Sequence, residues 1–303
     1  MNGRASGRAA GRMTGDDVST QVGGASQAKF ADDSCSASIS RKNRYLTARR
    51  LAQLERYLSD RDRQVLATLA RVRVASAKQL YRLHFQDVTR RQARASLASL
   101  AGRRLITRLP RVVGGAQAGS TGYVYRLDVA GQRLMRPDHD RPQRPWSVGR
   151  AFLDHSLSMS ELYVQLVEAD QAGRLRLTDF ATEPACWRRF HGPGGARLVL
   201  KPDAAVRLQL GRFVDRWWIE ADLGTESRIA LARKCDLYRR YWQTGIEQSR
   251  TGVYPKTLWL VPDGHRHGQV VDVIGRQPTE AWPLFSVALF PDAIARLLRG
   301  AGE

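Results

Sequence analysis

The sequence predicts a mixed α/β (α+β) chain with helices in its first structured part and a mixed sheet in its second. Two patterns carry this prediction. Between Ser59 and Leu100 a hydroxyl residue is followed three positions later by Asp or Gln three times over: Ser59 with Asp62, Ser76 with Gln79, and Thr89 with Gln92. Each pair is the signature of a capped helix start. Between Leu200 and Tyr241 two apolar runs flank Gly211 and then give way to Leu231, Cys235, Tyr238 and Trp242, one stripe at helical spacing. Two strands joined by a turn and followed by a helix are expected there.

Residues 1–45 hold few large apolar side chains and are rich in Gly, Ala, Ser and Arg. Such a composition buries too little apolar surface to offset the entropy of ordering, so a disordered basic tail is expected. A short helix over Tyr45–Leu58 leads in. The first capped helix buries Val65, Leu66 and Leu69, the second carries Leu80 and Leu83, and the third turns Ala93, Leu97 and Leu100 inward. A strand over Leu105–Val113, a glycine-rich loop over Gly114–Gly122 and a returning strand over Tyr123–Leu127 follow. Three short helices and then a hairpin, over residues 46–136, resemble a winged helix-turn-helix. In that motif the third helix enters the major groove by its N-terminal side chains and the wing touches the backbone. Arg90, Arg91 and Arg94 are therefore the candidate DNA contacts, with Arg111 supporting them from the wing strand. The alternative is a solvated helix face, and winged helices also bind proteins.

The formal net charge is +20. Only six of the 49 basic residues are Lys, a bias that a GC-rich genome also produces, so the distribution decides. Between Leu58 and Arg136 there are 16 basic residues against four acidic ones, an asymmetry that fits a polyanion surface. Double-stranded DNA is the expected partner. No apolar run approaches the ~18 residues of a membrane span, and the N-terminus lacks the apolar core of a secretory signal, so a cytoplasmic protein is expected. Three cysteines, Cys35, Cys186 and Cys235, with no C-x-x-C spacing indicate neither a disulfide framework nor a zinc site.

A linker is expected over 137–147 and a second domain over 148–303. The latter opens on an amphipathic helix, Val148–Ala169, which carries His155 and Glu161 and is followed by a strand over Arg174–Thr182. Further strands are expected over Lys256–Val261 and Val270–Ile274, and a last helix from Pro291-Asp292. Asp263, His265 and His267 read as surface turn residues, and His155 as a satisfied structural histidine.

Acidic residues interrupt the two strands flanking Gly211. Side chains alternate along a strand, so Glu220 and Asp222 share one face while Ile219, Ala221 and Leu223 take the other. Asp203, which follows Lys201-Pro202, comes to lie beside them if the strands pair across Gly211. Carboxylates so placed repel one another unless a cation intervenes, and hard oxygen ligands suit Mg²⁺ or Mn²⁺. Lys234, on the flank of the following helix, is placed to lean back over them.

These residues resemble the PD-(D/E)xK nuclease superfamily, with its restriction-endonuclease-like fold, and more closely the replication-relaxation family of plasmid-associated proteins. The resemblance makes Pro202-Asp203 the first half-motif and Glu220 the acid of the second. Asp222 stands where the motif has lysine, and Lys234 on the next helix is its substitute. It also implies Glu161 as a further metal ligand, since the first helix of such folds often lends an acid; a solvent-facing or salt-bridged glutamate is the equal alternative. Two functions follow. One is a DNA-nicking nuclease of plasmid or mobile-element replication and relaxation, with Asp203, Glu220 and Lys234 catalytic and Asp203, Glu220, Asp222 and Glu161 around the metal. The other is a non-catalytic DNA-binding replication-accessory or regulatory protein with a degenerate nuclease-like domain. A second copy of the chain, or replication and transfer proteins, are the further partners that the resemblance implies.

Overall fold

The computed structural model describes residues 46–109, 122–135 and 149–302. The expected tail, the linker, most of the glycine-rich loop and Arg111 lie outside them. The described residues form a mixed α/β structure whose first part holds helices α1 (Ala48–Arg56), α2 (Asp60–Val72), α3 (Ala77–His84) and α4 (Arg90–Gly102). All three expected capping boxes form, at Ser59 with Asp62, Ser76 with Gln79 and Thr89 with Gln92. Each satisfies backbone donors that a helix start otherwise leaves without partners. The periodicity behind them then buries Val65, Leu66 and Leu69 on α2 and Ala93, Leu97 and Leu100 on α4. Strands β1 (Val74–Ser76), β2 (Ile106–Arg108) and β3 (Val124–Leu127) make an antiparallel sheet in the order β1-β3-β2. Helix α5 (Val129–Met135) closes this part, and Gly131 lies so near Leu105 that an added Cβ would meet its carbonyl oxygen at 2.1 Å.

In the second part a long helix, α6 (Arg150–Gln171), precedes β4 (Arg176–Thr182). A hairpin of β5 (Arg188–His191) and β6 (Arg197–Leu200) comes next, then β7 (Ala204–Leu210) and β8 (Phe213–Ala221). Helices α7 (Arg228–Gln243) and α8 (Ile246–Thr251) return the chain to β9 (Lys256–Val261), and α9 (Gly264–Gly275) to β10 (Phe285–Leu289). The last helix is α10 (Ala293–Leu298). The main sheet has the order β10-β9-β8-β7-β4, with β4, β7 and β8 antiparallel and β8, β9 and β10 parallel. The two parallel connections run through helices, as such crossovers must. Gly211, at φ 58°, makes the β7–β8 turn in a conformation that L side chains rarely adopt.

Both faces of the sheet are covered. Trp217, Ile219 and Ala221 of β8 pack with Met159, Leu162 and Leu166 of α6 and with Leu297 of α10. Trp218 and Trp259 pack on the other face against Leu231, Tyr238 and Tyr241 of α7 and Val270 and Val273 of α9. The stretch Val270–Ile274, expected as a strand, is therefore helical. Asp263 caps α9 by accepting from the Arg266 backbone N–H at 2.8 Å, and Val270 and Val273, three apart, turn to the same core. A short apolar run cannot by itself tell a buried strand from a helix. His265 and His267 accordingly sit in the first turns of α9 rather than in a loop.

The core of the first part is continuous with that of the second: Leu66, Leu69 and Leu97 belong to the cluster that holds Leu166 and Trp217. Polar contacts reinforce the joint. Arg82 of α3 donates to Glu168 from Nε at 2.8 Å and Nη2 at 2.6 Å, and to Glu161 from Nη1 at 2.5 Å. Ser160 donates to the Val74 carbonyl and Thr182 to the Arg71 carbonyl, both at 2.6 Å. No helix among the described residues is long and apolar enough to cross a membrane.

Arg82→Ala is expected to cost about 1 kcal/mol or somewhat more, because three charge-assisted bonds disappear at a site that solvent partly screens. For a unit of this size that lowers Tm by roughly 2–4 °C per kcal/mol. Arg150→Ala, at an exposed pair 3.7 Å from Asp154, should leave Tm almost unchanged. Equal melting of the two variants in a calorimeter would refute the role given to Arg82.

Candidate functional site

Two features stand out, an arginine face on α4 and a group of buried carboxylates at the end of β8. Burying Ala93, Leu97 and Leu100 leaves Arg90, Arg91 and Arg94 exposed along the N-terminal half of α4. Other arginines of the first part are engaged by acids: Arg61 by Asp87, Arg73 by Glu183, Arg82 by Glu161 and Glu168, Arg103 by Asp62, and Arg104 by Asp128. Among the described residues no carboxylate pairs with Arg90, Arg91 or Arg94. Arg90 lies instead over the Tyr81 ring, 5.5 Å from its centroid. A cleft of about 870 Å³ runs beside this face, between α3, α4 and the β2–β3 edge, with Lys78 and Arg108 in its lining. Neither of these two cations was singled out from the sequence. Their signal is a lone charge in a short element, which means nothing until the fold brings it to α4.

The carboxylates sit where β7 begins and β8 ends. The Asp203 backbone N–H donates to the Ile219 carbonyl at 3.0 Å, and Asp203 Oδ2 accepts from the Ala221 backbone N–H at 2.7 Å. Asp203 is thus held beside Glu220 by the β7–β8 register. His155 of α6 approaches from the other side, with Nε2 3.3 Å from Asp203 Oδ1. Glu220 is almost wholly buried and accepts from Lys234 Nζ at 3.0 Å and from the Tyr238 hydroxyl at 2.6 Å. Lys234 also donates to Glu226 at 2.6 Å. The expected approach of Lys234 to Glu220 is therefore present, and so is the shared face of Glu220 and Asp222.

Other expected members of the site go elsewhere. Asp222 accepts from Arg266 Nε at 2.7 Å and from the Gly224 backbone N–H at 2.9 Å, in a pair whose side chains are 1% and 8% exposed. Glu161 faces α3, where it takes bonds from Arg82 and from Gln79 at 3.1 Å. Among the described residues no group of three or more His, Cys, Asp or Glu is arranged to hold a metal ion. Both Glu220 oxygens and both Asp222 oxygens already accept from protein donors. As placed, these side chains form ion pairs and do not fit a resident Mg²⁺ or Mn²⁺, which would want several oxygens free to converge on it. Cys186 and Cys235 are buried, and burial pushes both thiols up to about 12, which rules out an activated nucleophile.

Tyr238, Glu226, His155 and Arg266 complete the centre, and sequence reasoning assigned none of them a role there. Tyr238 lies four residues after Lys234 and so on the same helix face, a signal that was open to reading. His155 and Arg266 reach the site only through tertiary packing. Burial, then the Asp203 charge, push the Glu220 carboxyl up to about 8, against the opposing pull of Lys234 and Tyr238. The hydrogen bond to Asp203 raises His155 above its ordinary value despite burial. Burial works to lower the Lys234 ammonium, but the Glu220 charge and then the hydrogen bond to Glu226, with Asp203 adding to them, hold it above its ordinary value.

The signs of the Glu220 and His155 shifts agree. Both groups hold a proton in the folded state that the unfolded chain releases more readily, so stability falls as pH rises through their folded values. Between pH ~4.5 and about 8 the contribution of the Glu220 proton is lost, so over that range the wild-type Tm should fall relative to that of Glu220→Gln, which has no such proton to release. His84, which burial holds down to about 4, contributes with the opposite sign between that value and its ordinary 6.5, and it does so equally in wild type and variant, so the difference between the two curves isolates Glu220. Parallel Tm–pH curves for wild type and variant would show that Glu220 carries no such proton.

The family model described as replication-relaxation matches residues 66–257, which span the α4 face, the hairpin of Asp203 and Glu220, and Lys234. No curated protein and no solved structure matches the chain. The match covers more than half of the sequence, and the chain belongs to the replication-relaxation family, which suggests a role in plasmid or mobile-element replication or relaxation.

Proposed function

We propose that the protein binds duplex DNA as a winged helix-turn-helix, laying the N-terminal half of α4 in the major groove with the β2–β3 edge alongside, as an accessory of plasmid or mobile-element replication or relaxation. The observation that carries this reading is the separation of the arginines. Arg61, Arg73, Arg82, Arg103 and Arg104 are paired with acids, while Arg90, Arg91 and Arg94 are exposed together on one helix and no carboxylate among the described residues pairs with them. A cation left unpaired on a helix face costs little in water and gains when it displaces counterions from a phosphate backbone. The second part then serves as the platform for α3 and α4, and its carboxylates are balanced by Lys234, His155 and Arg266. Replacing Arg90, Arg91 and Arg94 with Ala should weaken duplex binding and flatten the slope of log K against log salt by up to ~0.9 for each phosphate that is no longer neutralised. Unchanged affinity and slope in a fluorescence titration would remove α4 from the interface.

One observation favours a second reading, metal-dependent nicking: Asp203, Glu220 and Lys234 converge at one end of β8. That reading takes Mg²⁺ or Mn²⁺ as cofactor on a pair of carboxylates, fewer than the set expected from the sequence. Supercoiled plasmid incubated with the protein and millimolar Mg²⁺ or Mn²⁺ should remain supercoiled, and neither ion should raise Tm. Open circles that disappear with Asp203→Asn and Lys234→Ala would instead establish the nuclease.

A further inference from the structure

We infer that the cleft between α3, α4 and the β2–β3 edge seats unpaired DNA, one base of a single strand against its tyrosines and the flanking phosphates on its four cations. This rests on the DNA-binding reading and specifies a form of DNA that a groove-docked helix does not need. The cleft, at about 870 Å³, falls in the range of ~300–1,000 Å³ typical of pockets that enclose small organic ligands, ample for a nucleotide. It is lined by several alanines, by Tyr81 and Tyr123, and by Lys78, Arg90, Arg94 and Arg108. Positive charge together with apolar and aromatic lining is complementary to a nucleotide, which is anionic at the phosphate and flat and apolar on the base.

The aromatic arrangement separates single strand from duplex. Arg90 lies over Tyr81, and Arg108 lies over Tyr123 at 4.5 Å from the ring centroid, so two guanidinium groups are held against rings of the cleft. Tyr123 is 49% exposed, and of the exposed large apolar residues it is the one that lines the cleft. In a duplex the bases stack on one another and offer only edges and phosphates, so a phenol ring finds no base face to meet. An unpaired base offers its whole face, and stacking on an aromatic ring or an arginine plane is the usual way proteins hold it.

The test uses the full chain, a labelled 12-nucleotide oligothymidine and a duplex of the same length, read by fluorescence anisotropy at one salt concentration. Wild type should bind both. Tyr123→Ala should weaken oligothymidine binding by roughly 5- to 150-fold, the loss expected for one stacked base, and leave duplex binding within about twofold. Tyr123→Phe should restore binding of the oligonucleotide. Tyr57→Ala, at a ring 72% exposed outside the cleft, should change neither. Unaltered oligothymidine binding by Tyr123→Ala overturns the inference, as does an equal loss on both DNAs. Wild type that binds duplex but not oligothymidine overturns this inference alone. Wild type that binds neither overturns the DNA-binding reading as well. A circular dichroism melt of each variant confirms that the exposed ring was removed without loss of the fold.

Discussion

The burial of acid on β8 constrains the rest of the structure. An acid taken out of water is costly unless it is paired and hydrogen-bonded; this central strand carries one such side chain, Glu220, and a second, Asp222, directly follows it, both almost wholly buried. Each requirement is met by a different helix. Lys234 and Tyr238 bring α7 to Glu220, Arg266 brings α9 to Asp222, and His155 brings α6 to the neighbouring Asp203. Apolar packing alone would let these helices slide across a sheet of tryptophans and leucines with little penalty. Directional bonds to buried charge fix their positions, because any slip would strand a charge away from water.

The same helix, α6, transmits that fixed geometry to the first part of the chain. One end of it supplies His155 to the carboxylate centre, and further along Ser160, Glu161 and Glu168 hold β1 and α3. Arg73, at φ 70° at the end of α2, adds a bond to Glu183, whose charge also acts on His155. Glu161 thus takes the salt-bridged of the two roles the sequence left open, facing Arg82 and Gln79 of α3. It positions α3, against which the arginine-bearing α4 is set, instead of contributing an oxygen to a metal.

The sequence was most legible where the signal is local. Capping boxes depend on residues three apart, so the starts of α2, α3 and α4 follow from Ser59, Ser76 and Thr89, and the buried faces follow from the periodicity after them. Alternation along β8 likewise put Glu220 and Asp222 on one face, and the turn at Gly211 brought Asp203 beside Glu220. Legibility ended where the answer lay on a distant segment. Whether Asp222 meets a metal or Arg266 depends on a residue 44 positions away, on a helix whose apolar run also fits a strand. The β5–β6 hairpin and β10 were missed for a related reason. Their short runs are broken by arginine, glycine and serine, and only the tertiary partners select a strand conformation for them.

Charge balance explains why arginines of the first part, those of α4 among them, go without a carboxylate partner among the described residues. Between Leu58 and Arg136 there are 16 basic residues and four acidic ones, so most of the basic side chains have no local acid to meet. Three of the four acids are taken by Arg103, Arg61 and Arg104 at the joints between helices and turns. The second part lends Glu161, Glu168 and Glu183, and these are taken by Arg82 and Arg73, where the two parts meet. The acids that β8 buries are neutralised by cations of the second part and are closed to the first. Among the described residues no carboxylate pairs with Arg90, Arg91 or Arg94 on the outer face of α4. A charge so placed is met by counterions or by a polyanion brought to that face, and the acids buried near β8 are not among those that answer it.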